Sequence, residues 1–161
     1  MQAKGYISLE GHRRLAAELL RLRTVERPKV VDEVAAAAAQ GDRSENAEYI
    51  YGKKRLREID RRTRWLEKRL EVLEAVDVDR PRDEGRCFFG AWVSVQDEDG
   101  KGATYRILGE DEIDAGRGYI SYSSPLGRVL LGKRAGDVCE VQTPSGPREV
   151  EVLGVRYGPP P

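Results

Sequence analysis

The sequence predicts an α+β protein, with an N-terminal antiparallel α-helical coiled-coil hairpin followed by a small antiparallel β-sheet domain carrying one short helix. Three observations predict it. In the first half, apolar residues recur at alternating spacings of three and four, the pattern of a heptad seam. Gly41 separates two long runs of helix-forming residues. Beyond "VDVDRPRDEGR" the apolar period drops to two, in short runs divided by turn residues.

The first helix is expected to start behind Ser8 as its cap and to run through "LEGHRRLAAELLRLRTVERPKVVDEVAAAAAQ" to about Gln40, where Gly41 stops it. Pro28 should kink or divide this run, because it lacks a backbone donor. The second helix is expected from about Ser44 to Val76, with Leu56, Ile59, Thr63, Leu66, Leu70 and Leu73 as its seam. Leu15, Leu19 and Leu22 supply matching knobs on the first helix. Setting Leu15 beside Leu70, Leu19 beside Leu66 and Leu22 beside Thr63 places the apex between Asp42 and Arg43. The alanine run before Gly41 would let the helices approach closely near the turn. Arms of about 30 residues should project roughly 45 Å at 1.5 Å per residue.

The second half reads as strands around one helix. "CFFGAWVSVQ" and "ATYRILG" flank the turn-rich "DEDGKG"; "YISY", "DVCEVQ" and "REVEVLGVRY" are further strands, the last two separated by "TPSGP". "SPLGRVLLGK" is a short helix beginning near Pro125. The domains expected are therefore residues 1–78 and 84–158, with "GPPP" as a frayed tail.

Composition bounds the function. The 28 basic and 28 acidic residues cancel, so charge-driven binding must come from local patterning. No apolar run approaches the ~20 residues of a membrane span, and the N-terminus has no signal-type apolar stretch. Cys87 and Cys139 make no CxxC pair, and His12 is the single histidine, so a zinc site is not indicated. A cytoplasmic protein with reduced thiols is expected. Trp65 and Trp92 read as packing residues, and no Gly-rich phosphate loop occurs.

Two constellations could carry chemistry. Asp42 and Glu45, three residues apart in "GDRSENAEY", fit a capping box at the start of the second helix. The same carboxylates at an apex could hold a divalent metal. Two carboxylates cannot complete the six-oxygen shell of Mg²⁺, so a partner would have to supply the rest. Behind them, residues 53–71 contain nine basic and four acidic residues. A solvated face laced with pairs such as Glu58 to Arg62 is one reading. The other is a phosphate track, since Lys53, Arg57 and Arg61 recur every four residues as one stripe.

The segments "GYISLEGHRRLAAEL", "GDRSENAEYIYGKKRLREIDRR", "FFGAWVSV", "ILGEDEID", "YISYSSPLGRVLLGKRAGD" and "TPSGPREVEVLGVRY" together resemble the Gre transcript cleavage factors of bacterial RNA polymerase, and "GDRSENAEY", "KKRLREIDRR" and "FFGAW" are most similar to the GreB branch. The resemblance implies an FKBP-like C-terminal domain that docks on the rim of the polymerase secondary channel while the coiled coil reaches through it. It implies an accessory factor rather than a free-standing enzyme. In that role Asp42 and Glu45 would be the catalytic, metal-holding acids that help the polymerase bind Mg²⁺ and hydrolyse the extruded 3′ end of nascent RNA. Lys53, Lys54, Arg57, Arg61 and Arg62 would contact that RNA, and Ser124 and Pro125 would dock on the polymerase. A monomer with no membrane partner is expected. Gly127 and Val129 stand where many relatives carry alanines. A secondary-channel module that inhibits without promoting cleavage is the rival, although such relatives carry a more acidic tip.

Overall fold

A computed structural model describes residues 4–41 and 46–161, which cluster into two compact units. His12–Leu73 makes the first; Lys4–Gly11 joins Glu74–Pro161 in the second.

The first unit is the helical hairpin. Helix α1 spans Leu9–Arg21, a five-residue π turn covers Leu22–Glu26, α2 runs Arg27–Ala38 and α3 returns as Ala47–Val72. The run is divided next to Pro28, which falls in the first turn of α2. The π turn lies just before it, and Arg27 N–H reaches back to the Leu22 carbonyl. A π turn inserts one residue, and the seam records the insertion. The buried residues of the first arm are Leu15, Leu22, Val30 and Ala37, at spacings of seven, eight and seven; those of α3 are Gly52, Ile59 and Leu66, followed by Leu73, all seven apart. The extra residue keeps a proline-bearing arm in phase with an uninterrupted heptad partner.

Ion pairs fix the antiparallel register. Arg27 Nε meets Asp60 at 2.9 Å, Arg62 takes Glu18 with two hydrogen bonds of 2.8 and 2.9 Å, and Arg23 bonds Glu67. All are substantially exposed, so each stabilises the hairpin only weakly. The second helix is shorter than the expected Ser44–Val76. It begins at Ala47, and Leu73–Val76 leaves it as a strand. Of the alanine run, Ala37 alone is buried.

The second unit starts with strand β1, Gly5–Ser8, which pairs with β2, Leu73–Val76, in a two-stranded sheet. Ser8 caps α1 as expected, its Oγ accepting Gly11 N–H at 3.0 Å. It also donates to buried Glu112, which accepts the N–H groups of Ser8 and Gly109 as well. Glu112, from the 3₁₀ turn Glu110–Glu112, thus stands at the N-terminus of α1, where the helix dipole favours a carboxylate.

The main sheet orders β5–β4–β3–β7–β6, from β3 Trp92–Asp97, β4 Gly102–Leu108, β5 Tyr119–Ser121, β6 Val138–Thr143 and β7 Gly146–Arg156. The expected sheet was antiparallel throughout; here β4 and β5 run parallel. Two short 3₁₀ turns, Glu110–Glu112 and Ala115–Arg117, carry the chain across between them, a crossover that parallel neighbours require. Side chains alternate across β3. Val93 and Val95 join Ile107, Val152, Cys87 and Leu130 of helix α4 (Pro125–Leu130) on one face, whereas Trp92 packs with Leu108 and Tyr119 on the other. The tail is fastened rather than frayed at its start: Gly158 is buried, and its carbonyl accepts Trp92 Nε1 at 3.1 Å and Arg106 at 3.0 Å.

Candidate functional site

Asp42 and Glu45 lie outside the described residues, but the start of α3 beside them is defined. Its N-cap is Asn46, whose Oδ1 accepts Tyr49 N–H at 3.1 Å while Nδ2 donates to the Ala37 carbonyl at 2.8 Å. One amide therefore satisfies an orphan donor of α3 and ties that helix to the C-terminal turn of α2, whose Ala37 carbonyl also accepts Gln40 N–H at 3.2 Å. The capping-box reading gave that duty to Asp42 with Glu45 three residues on. The helix begins one turn later, and Asn46 holds the position. Sequence reasoning missed it, although Asn is as good a cap as Asp.

Close approach of the two arms behind this point depends on Gly52. A Cβ placed there would lie 2.5 Å from Val34 Cγ2. Small seam residues, Gly52 on α3 and Ala37 on α2, line this part of the hairpin.

The basic residues of α3 divide by environment. Lys53, Lys54, Arg57 and Arg61 are exposed and have no ion-pair partner among the described residues. Lys53, Arg57 and Arg61 stand on one stripe through their spacing of four. Arg62 differs. Its two bonds to Glu18 hold it across the hairpin, and its guanidinium stacks 4.5 Å over the half-exposed Trp65 ring. The Arg62 hydrogen bond, opposed by partial burial, pulls the Glu18 carboxyl below its ordinary range. Arg55 faces Glu26 and Glu58. Arg55 and Arg62 are thus engaged in ion pairs, as a solvated, paired face would have them, whereas Lys53, Lys54, Arg57 and Arg61 are exposed without one among the described residues.

Ser124 and Pro125 open α4. Ser124 Oγ accepts Gly127 N–H at 3.0 Å and donates to the Ser121 carbonyl at 2.6 Å. Pro125 occupies the first helical turn, where its missing donor costs nothing, and is exposed. Gly127 is buried because α4 sits on the end of β5: a Cβ would stand inside van der Waals contact with the Ser121 carbonyl oxygen. Beside this segment Tyr6, Phe89 and Tyr122 cluster with ring centroids 5.8 to 6.5 Å apart. Their distance along the chain gives sequence reasoning no signal for that cluster.

Among the described residues no group of three His, Cys, Asp or Glu side chains gathers as a metal site, and no helix is long and apolar enough to cross a membrane. Burial pushes the Cys87 thiol up to about 12, with help from the nearby Cys139 charge. Neither cysteine has the electropositive setting of a reactive thiol.

Comparison with known proteins covers both units. Residues 5–74 match the family described as transcription elongation factor, N-terminal, and residues 82–157 match transcription elongation factor, GreA/GreB, C-term. The chain is 54% identical over 159 residues to the transcription elongation factor GreB of Yersinia pestis, covering 99% of this chain and 92% of that protein. It is 55% identical over 146 residues to its counterpart in Pasteurella multocida, covering 91% of this chain and 92% of the relative. Among solved structures, GreA factor homolog 1 (Gfh1) of Thermus thermophilus is 24% identical over 94% of this chain and 98% of its own, with a TM-score of 0.42.

Proposed function

The chain belongs to the GreA/GreB family of transcription elongation factors, and from that premise we propose that it binds bacterial RNA polymerase and stimulates cleavage of the nascent RNA 3′ end in backtracked complexes. The Ser124–Pro125 face of the sheet domain docks on the secondary-channel rim, and the hairpin enters the channel. Asp42 and Glu45 are the groups it donates. The observation that carries this assignment is the Asn46 cap: its side chain accepts Tyr49 N–H at the start of α3, the duty that a capping box would have given to Asp42.

Carboxylate oxygens are the donors Mg²⁺ takes, and two of them fill only part of its shell. Asp42 and Glu45 therefore fit a metal shared with the polymerase, where it would supply Lewis-acid activation of water and of the scissile phosphate. The chain's own contribution is placement. The heptad seam and its cross-hairpin ion pairs stiffen the arms, so that the acids are delivered at a fixed reach. Lys53, Lys54, Arg57 and Arg61 line the emerging RNA, with Arg62 held beside them by Glu18.

The test is a stalled polymerase carrying end-labelled RNA, with and without the protein. Shortened RNA that can be re-extended supports the proposal. Slowed elongation with no shortened RNA, at saturating protein, would favour the inhibitory module instead.

A further inference from the structure

We propose that Trp65 and Arg62 form a stacking platform for one base of single-stranded RNA lying along α3, and that Glu58 selects a base with an exocyclic amine. The inference rests on the reading of Lys53, Arg57 and Arg61 as an RNA track, and adds base recognition to it. Trp65 stands four residues beyond Arg61, so the row of cations ends on an indole. Ile59 and Leu66 fill the seam at this level, and the Trp65 ring is left 36% exposed. Core packing does not account for it.

A cleft of about 260 Å³ opens between Glu58, Arg61, Arg62 and Trp65. The Arg62 guanidinium lies 4.5 Å from the indole centroid, and two hydrogen bonds to Glu18 hold it there. A base entering the cleft meets a surface already ordered, which lowers the entropy cost of binding. Indole and guanidinium planes both stack on bases. Charge sets the orientation. Glu58 puts a carboxylate in the cleft, which repels a phosphate, whereas exposed Arg61 attracts one. The base therefore turns inward and the backbone stays on the cation row. Arg55 pairs with Glu58 at 3.5 Å, and a carboxylate has lone pairs enough to accept a further hydrogen bond. The cytosine amine is a donor that such a carboxylate takes, whereas uracil presents a carbonyl oxygen in its place.

The test is binding of fluorescein-labelled dodecamers of cytidine or of uridine to the full chain at low salt, read by anisotropy and by indole emission. Trp92 is buried, so quenching on binding reports Trp65. The cytidine strand should bind several-fold more tightly than the uridine strand and should quench the emission. Trp65→Leu should weaken cytidine binding roughly tenfold, in the range of one stacked base, and Trp65→Phe should recover part of that loss. Glu58→Gln, whose amide both donates and accepts, should bring the two strands to equal affinity. Should Trp65→Leu disturb the hairpin, the quenching and the strand preference of the native chain decide the matter. Reversal of Lys53, Arg57 and Arg61 to glutamate tests the track itself and should abolish binding of both strands. Loss of binding in that reversal, with native affinity in Trp65→Leu, no quenching or no preference between strands, would overturn the platform and leave the track standing. Unchanged binding in the reversal, or no binding by the native chain, would overturn both.

Discussion

Val34 Cγ2 occupies the space that a Cβ on Gly52 would need, at 2.5 Å from its position. Gly52 is mid-helix, where glycine ordinarily costs about 1 kcal/mol relative to alanine. Relieving that cost competes with overpacking against a β-branched side chain, typically 1–3 kcal/mol. The clash should win, so Gly52→Ala is expected to lower stability by about 1 kcal/mol. Adding Val34→Ala should reverse the sign and expose the coupling. Thermal melts of the four members of the cycle measure it; additive effects would mean that the arms separate at no cost.

Gly127→Ala meets backbone rather than a side chain, since the obstacle is the Ser121 carbonyl oxygen. A carbonyl in β5 cannot turn aside as a methyl can. The substitution should cost about 1–3 kcal/mol by displacing α4, and it should weaken polymerase binding through Ser124 and Pro125. A variant with native melting temperature and native binding would refute this.

The seam and the strands were legible because burial imposes a period on the sequence. Ile59, Leu66 and Leu73 were identified from spacing alone, and the "WVSV" alternation separates Trp92 from Val93 and Val95 as the sheet does. The short strands Gly5–Ser8 and Leu73–Val76 were not legible, because each adjoins a helix and shares its apolar spacing. The parallel β4–β5 pair depends on a crossover through two 3₁₀ turns, which leaves no periodic trace. At the site, the stripe of cations was readable. Which of them are already spoken for was not, because Glu18 lies 44 residues from Arg62.

Asp42→Asn and Glu45→Gln should each abolish stimulated cleavage while leaving polymerase affinity within about twofold. Asn46→Ala is the contrast. It removes a cap worth about 1 kcal/mol and should lower the melting temperature of the hairpin, with cleavage reduced rather than lost. Circular dichroism and cleavage of stalled complexes together separate the two classes. Equal destabilisation by all three would return the acids to a structural role.

Cys87 should resist alkylation in the native protein. With its thiol pushed up to about 12 by burial, thiolate at pH 8 is roughly one part in ten thousand. Iodoacetamide should label it only through unfolding, so the labelling rate should rise with denaturant in step with the unfolded fraction. Rapid labelling without denaturant, followed by mass spectrometry, would contradict the burial.

The basic stripe makes the most graded prediction. Reversing Lys53, Arg57 and Arg61 to glutamate removes three exposed cations that have no ion-pair partner among the described residues, so the hairpin itself should lose little stability. If these side chains guide extruded RNA, cleavage of deeply backtracked complexes should fall most, because more nucleotides then extend past the tip to meet them. A short backtrack should be nearly spared. The defect should also flatten the salt dependence, since each phosphate contact on a single strand contributes about 0.7 to the slope of log affinity against log salt. Arg62→Gln should behave differently, because Arg62 is shared with Glu18. The Glu18 carboxyl, held below its ordinary range chiefly by the Arg62 hydrogen bond, stabilises the hairpin above that range and loses the contribution as pH falls through its lowered value. In Arg62→Gln that acid-side loss should shrink, an effect absent from the stripe reversal. Uniform loss of cleavage at every backtrack length would point to failed entry into the channel, and unchanged cleavage at all lengths would reduce the stripe to a solvated helix face.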